Sequence, residues 1–575
     1  VLAPCVEIDN NCTPDELTAG SFMLFNPLRA QFPFFNHESN SNEVYLDSAA
    51  TTQKPQVVLD AMQQFYALNN ANVHRSSHHK GSLATQQFEG VRSQVQQFIH
   101  AAHPEEIIFT KGATESINLL ANCLTRELIG SRTTLVVSAL EHHANLVPWQ
   151  WFAKRMGLEL IVMPVNDKGV LLIEQSLDLI NADTALVAIG HVSNALGNIN
   201  PIEAIITKAR QCGALTLIDG AQAVSHLTVD VQRLDCDFYV FSGHKVYGPT
   251  GIGVLYGKRH LLALMLPYQM GGEMIRHVSY EYSTFQDLPY KFEAGTPNIS
   301  GVIGLGAALG FVEQHRGEIV HQEQRLYGYL LTGLQKISGL TLWGDCEQSV
   351  ALQAFTIQGI DQQDISMLLS EQHIAIRTGH HCAMPLMHRL GIQGSLRISI
   401  GCYTNQGDID KCLAALNTAV ARLTGQEQHM VGTSTDNALF AAQSSTFELA
   451  QKVKQAKGWD ARYREIMLAG KHLALLPSQE QGKHNEVQGC ESQVWLSCQE
   501  VDGRIYLRGD SPSKIVRGLL AIIFERLNGQ LTEQIRQFDL IDYMTQLGLA
   551  QQLSQSRSNG LHAVVQKIVA YCERP

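Results

Sequence analysis

Between about residues 45 and 260 the chain alternates short apolar, β-branched runs with longer stretches whose apolar positions recur at helical spacing. The predicted strands lie near residues 107–110, 135–138, 160–164, 185–189, 215–219, 237–242 and 252–256. Between them, Val58, Met62, Phe65 and Leu68, or Phe88, Val91, Val95 and Phe98, follow i, i+3, i+4, i+7 spacing and predict helices. Runs such as ALTLID and DFYVFS are apolar on both faces, so the sheet they build is covered by helices on both sides. Sheets of this βαβ kind take ligands beyond the carboxyl ends of their strands. Reactive residues are therefore expected immediately after each run.

One such unit does not exhaust the chain. With 575 residues, 45% of them hydrophobic and 17% charged, there is material for more than one core and too little charge for a disordered chain. A second, α+β portion spans roughly 300–423, with a long helix near 313–337 and strands near 353–357 and 396–400. The polar, aperiodic stretch TGQEQHMVGTSTDN at 424–437 separates it from a third unit. That unit has helical patterns near 447–457, 459–469, 512–527 and 561–571, and strands near 493–497 and 505–508. The expected division is an N-terminal extension at 1–21, a large domain at about 45–300, a small domain from about 22–44 and 301–424, a linker at 425–437 and a third domain at 438–575.

Charge and cysteine usage bound the partners. Residues 1–435 hold 27 Lys and Arg against 39 Asp and Glu, and residues 436–575 hold 16 against 15, so neither part has the basic excess of a nucleic-acid binder. No run approaches the ~18 apolar residues of a membrane span, and the first residues lack a basic leader region, so a cytoplasmic protein without membrane contact is expected. Twelve cysteines without a C-x-x-C pair suit a reducing compartment rather than a disulfide framework.

The densest signal is SGHKVYGPTG at 242–251, directly after a predicted strand. Lys245 there, and Asp219 at the end of another buried strand in LIDGAQAV, stand at strand ends where an amine and a carboxylate suit pyridoxal phosphate. The lysine forms the Schiff base and the carboxylate pairs with the pyridinium nitrogen. The plainer readings are a surface lysine and a helix N-cap. KGATESIN at 111–118 opens a helix directly after a strand, so the free N–H groups around Gly112, Ala113 and Thr114 can face the phosphate, although Thr114 alone would also serve as a cap. GLGAALG at 304–310 has no strand before it and reads as close helix packing, not as a dinucleotide-binding turn.

LDSAATTQKP (46–55), NVHR (72–75), GATESIN, EHHANLVPW (141–149), HVSNALG (191–197), IDGAQAV, SGHKVYGPTG, FEAGTPN (292–298) and RTGHHCAMPLM (377–387) together resemble a Suf-type (group II) cysteine desulfurase over roughly residues 22–424. The resemblance implies a fold-type I pyridoxal phosphate enzyme, usually a homodimer, that converts L-cysteine to L-alanine and keeps the sulfur as a persulfide. It implies Lys245 as the Schiff-base lysine, Asp219 and Gln222 at the ring, and His142 stacked on it. Ala113, Thr114, Ser242 and His244 would hold the phosphate, with Thr296 reaching the cofactor of the partner subunit. Asn194, Arg377 and Arg397 would lie near the substrate, Arg397 as its carboxylate clamp, and His74 falls in a matching active-site segment.

The resemblance leaves Cys382 as the thiol that takes the sulfur. Zinc binding by His380, His381 and Cys382 is a poor alternative, because adjacent side chains diverge and no complementary ligand pair is evident. An unperturbed thiol is only a few per cent thiolate at pH 7, so His142 or a loop histidine would help to take its proton.

In the third unit NEVQGCESQVWL (485–496), SPSKIVRGLLAIIF (511–524) and SRSNGL (556–561) resemble the SufE-type sulfur-acceptor family over about 438–575. Cys490 matches that family's persulfide-carrying cysteine, while Cys498 reads as packed and Arg557 is either a site residue or surface charge. A flexible linker of about 14 residues, spanning roughly 20 Å, would hold such an acceptor at millimolar effective concentration. The implied relay runs from Cys382 to Cys490 and on to an iron–sulfur scaffold or another acceptor protein. The competing readings are a selenocysteine lyase using the same site, a generic pyridoxal phosphate aminotransferase, and a tail that serves only for docking.

Overall fold

The computed structural model describes residues 26–75, 77–424, 448–456, 459–488, 492–549 and 555–573. The expectations for 1–21, for the linker at 425–437 and for Gly489 and Cys490 lie outside the described residues, as does the Arg557 side chain.

The large domain is built on seven strands: β1 (Ile107–Thr110), β2 (Thr134–Ser138), β3 (Glu159–Met163), β4 (Thr184–Gly190), β5 (Leu215–Asp219), β6 (Phe238–Ser242) and β7 (Gly253–Gly257). Their order across the sheet is β1-β7-β6-β5-β4-β2-β3. The pairs from β3 through β6 are parallel, as βαβ alternation requires, whereas β7 runs antiparallel to both β6 and β1. Only the short turn from Gly243 to Ile252 joins β6 to β7, too short for the crossover of a dozen or more residues that a parallel return needs.

Both faces of the sheet are covered because successive side chains point to opposite sides. In β5, Ile218 packs into the core that also contains Val91 and Val95 of α1 (His79–Phe98), while Leu217 packs into the core of α2 (Ala113–Cys123) and α3 (Val147–Met156), with Ile117 and Trp149. The long helix α4 (Ile299–Leu334) lies on the α1 side, capped by the Asn298 side chain, which accepts the Gly301 N–H at 3.0 Å. It begins fourteen residues before the apolar pattern predicts, because GLGAALG is itself helical. Glycine is a poor helix former, and here packing overrides that preference: a Cβ on Gly304 would stand 2.6 Å from the Pro249 ring, and one on Gly306 2.6 Å from Val91. The expected boundary near residue 300 thus falls in the first turn of one continuous helix.

The small domain carries an antiparallel sheet of β8 (Leu340–Trp343), β9 (Leu352–Ile357), β10 (Arg377–Gly379) and β11 (Ser395–Ser399), in the order β8-β9-β11-β10. Its register sets Arg377 directly opposite Arg397. Helices α5 (Gln362–Ser370) and α6 (Gln406–Thr424) cover it.

The tail has a three-stranded sheet, β12 (Trp495–Val501), β13 (Arg504–Asp510) and β14 (Gln530–Leu531), with α7 (Glu448–Gln455), α8 (Trp459–Ala469), α9 (Lys514–Leu527) and α10 (Gln555–Cys572). It is held to the small domain at the N-termini of α5 and α9. Ser513 Oγ donates to Asp364 Oδ1 at 2.7 Å, the Lys514 N–H donates to Asp364 Oδ2 at 2.8 Å, and Lys514 Nζ donates to the Leu423 carbonyl at 2.6 Å. Ser492 Oγ lies 3.3 Å from Asp361 Oδ2. Both Asp364 and Ser513 are almost fully buried, so these bonds are shielded from water.

Replacing Asp364 with Ala leaves the buried Ser513 hydroxyl and Lys514 N–H without their acceptor, at a cost of about 1–3 kcal/mol. The expected outcome is faster proteolytic cleavage between the two parts with little change in the unfolding of the large domain, read by limited proteolysis and differential scanning calorimetry.

Candidate active site

The parallel register of β5 and β6 pairs Asp219 with Val240, so the chain leaving β6 passes through Ser242, His244 and Lys245 beside the Asp219 carboxylate. Together with residues from the ends of β2 and β4 they enclose a cavity of about 280 Å³. Its wall includes Ala113, Thr114, His142, Asn194, Asp219, Gln222, Ser242, His244, Lys245, Arg377, Cys382 and Arg397. Twelve residues singled out from the sequence thus meet around one space, although they come from segments up to 284 positions apart, from Ala113 to Arg397.

At one end the cavity meets the N-terminus of α2. Ser242 Oγ accepts the Ala113 N–H at 2.9 Å, which ties that helix end to the strand that precedes the lysine. The close approach depends on Gly253: a Cβ there would stand 2.4 Å from the Gly112 Cα. The Gly112 and Ala113 N–H groups are taken by Thr110 Oγ1 and Ser242 Oγ, so the N–H groups that follow them in this 11-residue helix, with Thr114 and His244, make the donor end suited to an anion. Burial, with Lys245 and Lys54 nearby, holds the His244 pKa down at about 4.

In the middle of the cavity, Asp219 Oδ1 accepts the Ala221 N–H at 3.0 Å. Burial leaves its carboxyl pKa raised, although that bond and the Lys245 ammonium pull it down. Burial lowers the Lys245 pKa to about 8, against the pull of Asp219. His142 Nδ1 accepts the Ala144 N–H at 3.0 Å, and burial with Lys245, His143 and Arg397 lowers its pKa to about 4, so it is neutral at pH 7. Gln222 is fixed by a 2.8 Å bond to the Ala49 carbonyl.

The other end is formed by the small domain. Arg397 donates to the Asn194 carbonyl at 2.7 Å and to Asp47 Oδ1 at 3.1 Å, while Arg377 lies 3.5 Å from Asp47 Oδ2. Asn194 Nδ2 donates to the His381 carbonyl at 2.7 Å. Arg397 Nε, Asn194 Oδ1 and His381 Nδ1 are buried without a partner among the described residues, and all three belong to this wall. Buried polar atoms left unpaired are costly, and their convergence marks a place where a polar ligand completes the bonding. Cys382 stands on the same wall, in a loop where both His381 (φ 50°) and Cys382 (φ 54°) are left-handed. That conformation is uncommon outside glycine. The loop is braced by the Cys382 N–H on His380 Nδ1 at 3.1 Å and by the His143 N–H on the Cys382 carbonyl at 2.7 Å.

The residues fit pyridoxal phosphate on these observations: an amine, a buried carboxylate with an oxygen left over, a flat neutral imidazole, and a helix N-terminus for the phosphate. Two residues expected near the site stand elsewhere. His74 is paired with Glu89 at 2.8 Å and packed against Phe88 and Tyr290, outside the cavity wall. Thr296 is exposed and also outside it within this single chain. Two carboxylates of the site received no role from the sequence. Asp47 bridges both arginines, and Glu141 accepts from Asn145 Nδ2 at 2.5 Å and from the Gly190 N–H at 3.0 Å, with burial raising its pKa to about 7. Both stand inside motifs quoted above, Asp47 in LDSAATTQKP and Glu141 in EHHANLVPW, which was the available signal.

Comparison with known proteins agrees with this geometry. The Aminotransferase class-V family matches residues 44–412, and the SufE family, described as an Fe-S metabolism associated domain, matches 447–572. A cysteine desulfurase of Pectobacterium carotovorum is 47% identical over 401 residues, covering 69% of this chain and 98% of that protein. A probable cysteine desulfurase of Pseudomonas aeruginosa is 46% identical over 401 residues, covering 70% and 99%. Among solved structures, the S-sulfonic acid form of the Escherichia coli cysteine desulfurase CsdA superposes with a TM-score of 0.64 at 40% identity, covering 69% of this chain and 99% of that one. The apo cysteine desulfurase of Thermococcus onnurineus gives 0.65 at 36% identity, covering 69% and 98%.

In cofactor-free protein the Lys245 amine attacks carbonyls only when unprotonated, so its rate of uptake of pyridoxal phosphate should rise with pH through about 8 and level off above. Asp219 holds the protonated form, so Asp219→Asn should move that midpoint to lower pH while weakening cofactor retention about tenfold or more. Stopped-flow absorbance and equilibrium dialysis would check the two outcomes.

Proposed function

Because this chain belongs to the cysteine desulfurases of the class-V aminotransferase family and carries a C-terminal SufE domain, we propose that it takes sulfur from L-cysteine onto Cys382 and passes it to Cys490 of its own tail. The observation that carries this reading is the presence of Lys245 and Cys382 on one cavity wall, with the unpaired atoms of Asn194, His381 and Arg397 beside the thiol. The family depends on pyridoxal phosphate, which when bound withdraws electrons from the amino acid Cα and so loosens the Cβ–S bond.

The residues divide the remaining work. Lys245 holds the cofactor and moves the proton at Cα, for which a pKa of about 8 leaves a useful fraction of free amine near neutrality. Ala113, Thr114, Ser242 and His244 hold the phosphate end, Asp219 and Gln222 the ring, and His142 covers its face. Arg397 binds the substrate carboxylate, exchanging its bond to Asp47 for one to substrate, with Arg377 and Asn194 completing that end. His142, neutral at pH 7, can accept the substrate or Cys382 thiol proton. The Cys382 thiolate then attacks the substrate sulfur. The Cβ–S bond breaks, its electron pair stays with carbon, and after protonation the products are alanine and a Cys382 persulfide. The Cys490 thiolate attacks the outer sulfur of that persulfide and releases Cys382.

The bonds of Asp361 and Asp364 to Ser492 and Ser513 support transfer to the chain's own tail, since Ser492 lies two residues beyond Cys490 and is held against the small domain that carries Cys382. The chemistry of a persulfide points to an iron–sulfur scaffold or another thiol acceptor as the next partner. A homodimer fits the exposed apolar side chains Val57, Leu59, Tyr66 and Leu68, and a second copy would supply Thr296 to the neighbouring site. No helix among the described residues is long and apolar enough to cross a membrane.

Cys382→Ala should lower alanine release from cysteine by at least about a hundredfold while the bound-cofactor absorbance remains; undiminished turnover would remove Cys382 from the role of nucleophile, and selenocysteine turnover surviving alone would favour a lyase. Cys490→Ser should leave the first turnover intact but depress acceptor-dependent multiple turnover about tenfold. Peptide mass spectrometry after brief exposure to cysteine should find the one-sulfur adduct on the Cys382 peptide in both wild type and Cys490→Ser, and on the Cys490 peptide only in wild type.

A further inference from the structure

Lys245 also lines a second, much smaller space, which shares Ala49 and Gln222 with the main cavity. It measures about 10 Å³, enough for about one water molecule, and its wall is mixed: Ser48, Thr52, Gln222, Ser225, His226 and Ser399 bring polar groups to it along with the lysine, and Ala49, Ala351, Leu352 and Ile400 close the rest. Behind it His226 Nδ1 lies 2.7 Å from Glu323 Oε2, a carboxylate buried on α4, and the Tyr247 hydroxyl donates to Glu323 Oε1 at 3.4 Å. The other imidazole nitrogen, Nε2, has no partner among the described residues, and the His226 side chain keeps 16% of its surface accessible. His226, Glu323 and Tyr247 are not part of the main cavity's wall, whereas Gln222 lines both spaces. Ser225 and His226 follow directly on the turn that carries Asp219 and Gln222, while Lys245 comes from the turn after β6 and Glu323 from α4, so the pair and the lysine are brought together from three separate segments.

We propose that this chamber holds one ordered water through which the His226–Glu323 pair supplies a proton to the Lys245 amine and takes it back. The exchange balances without a further reactant. The free amine takes a proton from the water, the water takes the Nε2 proton of the imidazolium, and His226 remains neutral with its Nδ1–H on Glu323; the reverse steps return the proton. Burial works against the imidazolium and the Glu323 carboxylate works for it; the net result is a pKa above the ordinary value, which favours the charged form of the store. The charged and titratable groups facing Lys245 from the surrounding elements are Asp219, Arg397, Cys382, Asp47, His142 and His244. Those near His226 are Glu323 and Tyr247, with Arg316 of α4 on the adjoining Leu227 carbonyl. His226 and Glu323 are positioning residues acting through Lys245, and the proposal rests on Lys245 being the reactive amine of the site.

The test is made on full-length, cofactor-free protein, so that it is independent of sulfur transfer. The acetylation of Lys245 by acetic anhydride is followed against pH by peptide mass spectrometry. Wild type should show a midpoint near 8. His226→Gln leaves the Glu323 carboxylate uncompensated behind the lysine, which holds the ammonium, so acetylation at pH 7 should slow about threefold to tenfold. The double variant His226→Gln with Glu323→Gln removes that charge and should return the acetylation midpoint to the wild-type value, which a merely structural role would not do and which separates the charge coupling of the pair to Lys245 from the passage of the proton. Equal rates in wild type and His226→Gln would overturn the proposal. A wild-type crystal structure gives a second reading that needs no variant: a water bonded to both Lys245 Nζ and His226 Nε2 supports the relay, and a chamber without it refutes the relay. A normal Lys245 titration with no persulfide formed would instead count against the sulfur-transfer reading.

Discussion

The parallel pairing of β5 with β6 is the contact on which the site depends. Hydrogen bonding between the strands fixes Asp219 against Val240, so a carboxylate and the turn bearing Lys245 leave the same edge of the sheet side by side. Shifting the register by one residue would turn every side chain of the strand to the opposite face, moving Leu217 and Ile218 between the two cores as well as displacing Asp219. The apolar alternation that stabilises the sheet therefore also sets the spacing of the reactive groups.

From that edge the environment of the lysine follows. Enclosing an amine favours its neutral form, and Asp219 offsets this only in part, leaving Lys245 near pH 8. The same enclosure keeps His142 neutral. A neutral imidazole over the cavity and an amine poised near neutrality are complementary conditions for moving protons, and both come from burial rather than from unusual residues. On the opposite wall the cost of burial has been left unpaid, with Arg397 Nε, Asn194 Oδ1 and His381 Nδ1 lacking partners. Unpaired buried polar atoms are rare in a protein interior, and three of them around one cavity suit a polar ligand or bound water.

The small domain links this chemistry to the tail. Its sheet places Arg377 opposite Arg397, the Cys382 loop follows β10, and α5 presents Asp361 and Asp364 to the third domain. The thiol loop and the docking contacts thus rest on one sheet and its covering helix. The left-handed conformations of His381 and Cys382 show a loop shaped by its braces to His143 and Asn194 rather than by local preference.

By itself the sequence determined the alternation of strands and helices and singled out the candidate residues at strand ends, because hydrophobic periodicity and short motifs are local properties. Lys245 after DFYVFS and Asp219 after ALTLI were legible for that reason, and so was Cys382 through its resemblance. The antiparallel return of β7 and the early start of α4 were not, since loop length in the first case and contacts of Gly304 and Gly306 with distant residues in the second overrode local preference. Asp47 meets Arg397 from 350 positions away, Glu323 meets His226 from 97, and Asp364 meets Ser513 from 149. Only the tertiary structure could decide these pairs, because a side-chain contact between elements depends on how they pack and in what register, which no single segment encodes.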